Sequence, residues 1–392
     1  MNRIVRGIAR RVRALDARLS GRAGCRRILV DARTPVNFTM VAPVFRAMAR
    51  DQRVQFFFTA SEEPRRLDAI YHEARGIRTI HPRRAALMRF DAYVASDFMW
   101  APLPRGTRRV QVFHGVGGKY GFDAPTTSMR EWDRLFFVNE RRLNNFVAAG
   151  AIDRDSRAIR LVGMPKVDCL VDGTYSRDRV LTELGLDPAL PVVLYAPTWS
   201  PASSLNAMGA ELIAGMRRLP VNLIVKLHDR SRDERARYSG GVNWPARLQP
   251  LLQNGRGVIA PGHDISPYLV AADVMITDHS SAGFEFLLRD RPLIRIHRPQ
   301  LLESANVHPD YVSLLASASD STADPHETIA AVEGALATPG ARSAERRRVA
   351  GELFYRPGGA TRRAVQAMYE VIELEEAPVG RTLREAECQP SA

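Results

Sequence analysis

"ISPYLVAADVMITDHSSAGFEFLL" occupies residues 265–288. "DVMITD" (273–278) is a short apolar run with the β-branched content of a buried strand. His279, Ser280 and Ser281 make a polar turn, and a helix begins near Ser281. Serines suit a helix start because their hydroxyls accept from first-turn N–H groups that lack partners. The same N–H groups and the helix dipole attract phosphate, so Ser280 and Ser281 can be plain caps or a phosphate cradle. Strand, polar turn and helix in succession form one unit of a parallel α/β sheet.

The unit repeats outward from this stretch. "VVLYAPTW" (192–199), "NLIVKLHD" (222–229), "GVIAPG" (257–262) and "PLIRI" (292–296) read as strands, with helices at about 207–218, 266–272 and 281–289. An earlier series comprises "RRILVDA" (26–32), "VQFFFTA" (54–60), "AYVAS" (92–96), "RVQVFHG" (109–115), "RLFFVN" (134–139) and "IRLVG" (159–163), with helices at 41–50, 64–74 and 140–149. The pattern loosens between Asp172 and Pro191. The expected organisation is a basic helix at 1–25, an α/β domain at 26–172, a linker at 173–190, a second α/β domain at 191–355, a C-terminal helix at 356–375 and a tail at 376–392. Ligands of such sheets bind beyond the carboxyl ends of the strands, so the cleft between the domains is the expected site.

Composition narrows the class. The 392 residues suffice for two cores, and 45% hydrophobic with 25% charged is ordinary for a globular chain. No apolar run is long enough for a membrane span, and the N-terminus lacks the apolar core of a signal peptide. Cys25, Cys169 and Cys388 are widely spaced, which points to a reducing compartment and away from a cysteine-ligated zinc site. Residues 1–27 hold nine arginines against Asp16 and so carry +8 of the net +13. Ile4, Ile8, Val12, Leu15 and Leu19 recur there at helical spacing. A basic amphipathic helix of this kind lies on anionic membrane; the pattern equally suits an arm packing on its own domain or binding another polyanion. No basic patch interleaved with aromatics follows, so nucleic acid is not an expected partner.

A second stretch carries chemistry. "VQVFHGVGGKYGF" (110–122) leaves a strand and within a few residues presents His114, three glycines and Lys119. Glycines there favour a turn and close approach of the backbone to another group. Glu285 lies one turn into the helix that starts at Ser281, where it can complement the dipole or accept from ribose hydroxyls.

These pieces carry a resemblance. "DVMITDHSSAGFEFLLRDRPLI" resembles the D-x-x-I-T-D-Y-S-S-x-x-F-D-F segment of the CDP-glycerol glycerophosphotransferases, the teichoic-acid polymerase and primase group. "VLYAPTW" (193–199), "HGVGGK" (114–119), "VKLHD" (225–229) and "RPGGATRRAV" (356–365) are similar to that family's Y-A-P-T-W, H-G-x-x-x-K, K-x-H-P and D-G-x-A-T-x-R-V elements, in family order. The resemblance implies two Rossmann-like domains in GT-B arrangement, an acceptor domain followed by a nucleotide-donor domain, with the active site between them. It implies His114 as general base and His228 as a contact of the donor pyrophosphate. Thr198, Ser280 and Ser281 match hydroxyl residues near that pyrophosphate. Glu285 matches the acidic residue assigned to the ribose, and Lys119 and Thr361 complete the implied donor site. The departures are Asp229 for proline, His279 for tyrosine, Glu285 for aspartate, and no aspartate before Gly358.

The expected activity is transfer of a polyol phosphate from a CDP-activated donor to a hydroxyl on a glycan or lipid-linked acceptor, at the inner face of the cell membrane. A GT-B glycosyltransferase or nucleotide-sugar epimerase and a non-catalytic nucleotide-binding protein are the alternatives. "GVGGKY" lacks the spacing of a Walker A loop. No cofactor or metal ligand is therefore assigned, and a divalent cation is left open.

Overall fold

A computed structural model describes residues 11–16, 18, 24–113, 115–118, 127–253 and 255–376. His114, Lys119, most of the expected basic helix and all but one residue of the expected tail lie outside the described residues.

The first domain contains β1 (Arg26–Asp31), β2 (Val54–Thr59), β3 (Ala92–Ser96), β4 (Arg108–Val112), β5 (Arg134–Phe137) and β6 (Ile159–Leu161). They form one sheet in the order β2-β1-β3-β4-β5-β6, parallel throughout. The second contains β7 (Val192–Tyr195), β8 (Asn222–Val225), β9 (Gly257–Ile259), β10 (Val274–Thr277), β11 (Leu293–Ile296) and β12 (Asp320–Thr322). Its order is β12-β11-β10-β7-β8-β9, again parallel. Two Rossmann-like sheets in this arrangement make the GT-B fold. Strand order reverses between β7 and β10, and a reversal of this kind opens a crevice beyond the strand ends. The opening stretch thus supplies β10, whose Val274, Met275, Ile276 and Thr277 have no exposed surface.

Local chemistry sets the helices that approach this crevice. The helix Pro35–Met48 begins earlier than the expected 41–50, because Thr34 and Asn37 form a reciprocal capping box and Pro35 occupies the first turn. Expected helix 64–74 is a 3₁₀ turn, Pro64–Arg66, followed by the short helix Leu67–Tyr71. Strand β12 and the helices Pro325–Ala337 and Ser343–Leu353 are additions to the expected elements.

The last described helix, Ala360–Val371, returns to the first domain. Val365, Met368, Tyr369 and Ile372 share a core with Ile28, Val30 and Phe58, and the Tyr369 hydroxyl donates to Asp51 at 3.0 Å. Asp168 caps its start by accepting from the N–H groups of Gly358, Ala360 and Thr361 at 2.7, 3.2 and 2.6 Å.

Residues 11–16 are helical and lie on the first domain. Asp16 accepts from Arg27 at 2.9 Å and from the Arg89 N–H at 2.7 Å, and Arg13 donates to Ala86 O at 2.9 Å. Val12 and Leu15 point outward, 42% and 60% exposed. The polar side of this segment is thus tied down while its apolar side faces solvent. Among the described residues no helix is long and apolar enough to cross a membrane.

Candidate active site

A cavity of about 220 Å³ lies between the domains, lined from the first by Val36, Met40, Gly115, Gly117, Arg142 and Lys166 and from the second by Thr198, Trp199, Lys226, His228, Ser281 and Glu285, among others. Of the residues that the resemblance implied, Thr198, His228, Ser280, Ser281 and Glu285 come together on this wall. Thr361 does not line it: its N–H is held by Asp168, and its hydroxyl is 3.5 Å from Pro165 O.

Strand ends aim each side chain. Asp278, fully buried after β10, accepts from the Thr198 N–H at 2.7 Å and from the Ser204 N–H and hydroxyl, each at 3.0 Å. One carboxylate therefore locks the turn after β7 to the turn after β10. Ser280 caps the helix Ser281–Phe286, accepting from Gly283 N at 3.2 Å, and shares a hydrogen bond with Thr277 at 3.0 Å. Its hydroxyl is engaged locally, whereas Ser281 is exposed to the cleft.

His228 ends the chain run after β8. Its Nδ1 accepts from the Arg230 N–H at 3.1 Å, so in the neutral ring Nε2 carries the proton, a donor suited to a phosphate oxygen. Asp229, the departure from the family's proline, brings a negative charge that His263 takes up at 2.6 Å. Burial would raise the Asp229 carboxyl, but the His263 hydrogen bond and the neighbouring His228 and Lys226 charges hold it below the ordinary range. The same hydrogen bond raises His263.

Glu285 is buried beside Lys166, whose ammonium donates to it at 2.6 Å. Burial acts to lower the lysine, yet Glu285 and Asp264 outweigh it and the ammonium is held above its ordinary value. Lys166 belongs to the first domain and Glu285 to the second, so the pair also ties the domains together. With Asp229 and Glu285 each held by a base, Lys226 and Arg142 add two further positive charges to the wall.

Lys226 is 5% exposed, and burial brings its ammonium down to about 8 despite Asp229. A cation that helps hold an anion stops doing so once deprotonated. CDP affinity is therefore expected to fall as pH rises through about 8, and Lys226→Arg to flatten that fall. Calorimetric CDP titrations of both proteins between about pH 7 and 9.5 check this; a wild-type affinity unchanged across that range would rule it out.

The glycine-rich turn meets the second domain. A side chain at Gly115, where φ is +68°, would come within 3.4 Å of Ser281 Oγ. At Gly118, with φ +85°, a Cβ would lie 2.4 Å from the Tyr311 ring. His308 donates its backbone N–H to Gly118 O at 2.9 Å, and the Tyr311 hydroxyl donates to Val116 O at 3.1 Å. Gly118 therefore makes room for domain–domain packing, whereas Gly115 and Gly117 border the cavity. Arg142, nearly fully buried, reaches Gly115 O at 3.4 Å and lies 4.4 Å over the Phe113 ring.

Lys166, Lys226 and Arg142 were not among the expected site residues. One signal could have found the two lysines: the chain contains only three, Lys119, Lys166 and Lys226, in a sequence otherwise supplied with arginine. Two of the three line the cavity, and the third follows the H-G turn.

The family profile described as CDP-glycerol:poly(glycerophosphate) glycerophosphotransferase matches residues 35–370. The chain belongs to this glycerophosphotransferase family. No curated protein sequence matches the chain. Among solved structures, the wall teichoic acid polymerase TagF aligns with a TM-score of 0.68 at 13% identity, over 94% of this chain and 95% of the other. A TagF variant soaked with CDPG aligns at 0.66 and 13%, over 89% and 90%. UDP-GlcNAc 2-epimerase from Neisseria meningitidis, bound to UDP-GlcNAc, aligns at 0.54 and 12%, over 88% and 99%. At such identities the likeness is one of fold, and it agrees with the GT-B assignment of this glycerophosphotransferase-family chain.

Proposed function

We propose that this enzyme transfers glycerol phosphate, or a related polyol phosphate, from a CDP-activated donor to an acceptor hydroxyl on a membrane-associated glycan or lipid-linked chain, releasing CMP. The observation that carries this reading is the shared cavity. It joins the S-S turn, the K-x-H element and the Y-A-P-T-W turn of one domain to the H-G turn of the other, within a chain whose family is defined by this reaction.

In this reading His114 accepts the proton of the acceptor hydroxyl. The oxygen attacks the phosphorus that bears the polyol, and the bond from that phosphorus to CMP breaks in line. Ser281, His228 and Lys226 hold the diphosphate and take up the charge that grows on the leaving phosphate. Glu285, steadied by Lys166, accepts from the ribose. Ser281→Ala and His228→Ala should each weaken CDP binding by about 1 kcal/mol or more, roughly fivefold. Calorimetric affinities equal to wild type in both variants would put the phosphate site elsewhere.

The outward-facing Val12 and Leu15 on a basic helix support docking on anionic membrane at the inner face of the cell membrane. A Val12→Glu/Leu15→Glu protein should lose sedimentation with anionic vesicles and keep turnover of a soluble acceptor. Undiminished sedimentation would exclude this surface.

A further inference from the structure

We propose that His72, Glu73 and His263 bind a divalent transition-metal ion, best matched by Zn²⁺, which bridges the two domains at the rim of the cavity. Among the described residues this is the group whose His and carboxylate ligand atoms converge within 4.8 Å. The first two residues follow the helix Leu67–Tyr71 of the first domain, and His263 follows β9 of the second.

The spacing fits a tetrahedral centre. His263 Nε2 and His72 Nδ1 face each other at 3.4 Å. With zinc–nitrogen bonds of about 2.0–2.1 Å, a tetrahedral edge is about 3.3–3.4 Å. Glu73 anchors one oxygen by accepting from the His263 N–H at 3.0 Å and brings the other to 3.7 Å from His263 Nε2. Glu73 is exposed, so a rotation of its side chain can swing that oxygen to the centre that the two imidazoles share.

The surroundings supply what a metal-binding histidine needs. The His263 Nδ1–H donates to the Asp229 carboxylate at 2.6 Å, which leaves the Nε2 lone pair facing His72. A carboxylate behind a ligating imidazole fixes its tautomer and raises its basicity. Without metal, the His72 Nδ1–H can bridge to His263 Nε2 and to Ala69 O, 3.2 Å away. On binding, that proton resides on His72 Nε2 and the ion takes its place. Three protein ligands leave a fourth position open, as in sites that keep an exchangeable ligand. Because His263 and Asp229 line the cavity next to His228, the ion would fasten the cleft at the donor end. Sequence spacing could not reveal this site, since His72 and Glu73 are adjacent and His263 lies 191 positions from His72.

The test uses untagged full-length protein stripped with a chelator and titrated with Zn²⁺ by calorimetry, with Co²⁺ absorption as a second readout. The expected result is one ion per chain and the strong visible bands of four-coordinate Co²⁺. His72→Ala and His263→Ala should each weaken binding at least 100-fold, and Asp229→Asn by about 10–100-fold. His72 is on the surface, so His72→Ala carries the test alone if His263→Ala fails to fold. Absence of one-to-one binding, or binding unaltered by His72→Ala, overturns the proposal.

Discussion

On the proposed mechanism, His114→Ala should lower turnover by about 10²–10⁴-fold and leave CDP affinity near that of wild type. A general base acts on the acceptor, so its removal slows proton transfer without loosening the donor. Imidazole suits that task because its ordinary pKa lies near working pH. The flanking residues constrain the alternative. Phe113 is buried in the first domain's core, and Gly115 borders the cavity against Ser281. A histidine that merely supported this turn would, on removal, lower the melting temperature and weaken CDP binding and turnover together. A folded His114→Ala protein that binds CDP and still turns over within a few-fold of wild type would remove His114 from the mechanism.

Lys166→Met is expected to destabilise the protein by about 3–5 kcal/mol, because it strands the Glu285 carboxylate in a buried site. Both side chains are almost wholly covered, and their contact crosses the domain boundary. The Lys166→Met/Glu285→Leu protein should recover most of that stability, since two apolar groups leave no charge uncompensated, yet it should not recover CDP affinity. Urea denaturation measures the first effect and calorimetry the second. Additive losses in the double variant would show that the two charges do not depend on each other. Full recovery of CDP affinity would show that Glu285 has no part in the donor site.

Much of the fold was legible because a parallel sheet covered on both faces leaves short apolar runs with little ambiguity. Runs such as "VVLY" and "DVMIT" became β7 and β10, though the strands stop sooner than the apolar runs do. The carboxyl ends turn outward at Ala196 and Asp278 to build the site. Strand β12, "DST", carries no apolar signal because it closes a sheet edge and pairs through its backbone with β11. The long helix at Pro35 was legible only in part. Its start is written in Thr34, Pro35 and Asn37, whereas its length runs through Pro43 against local propensity.

The site divides along the same line. Ser281 and His228 stand in turns whose residue types advertise them. Lys166 does not, because its role exists only once Glu285, 119 positions later, is brought beside it. The glycines after His114 also needed the structure: the group that approaches Gly118 closely is the ring of Tyr311 in the second domain. Thr361 illustrates the opposite case, a residue in a family element that serves a helix start and stands away from the cavity.

The central claim is that a CDP-activated polyol is split at the phosphorus that bears the polyol. The most direct measurement offers purified protein CDP-glycerol, CDP-ribitol and UDP-sugars with an acceptor and identifies the nucleotide released. The account predicts CMP from a CDP-polyol, dependent on acceptor and formed about 10²–10⁴-fold more slowly by His114→Ala. Release of UDP from a UDP-sugar, with CDP-polyols left intact, would contradict it and assign the cleft to sugar chemistry on the same fold.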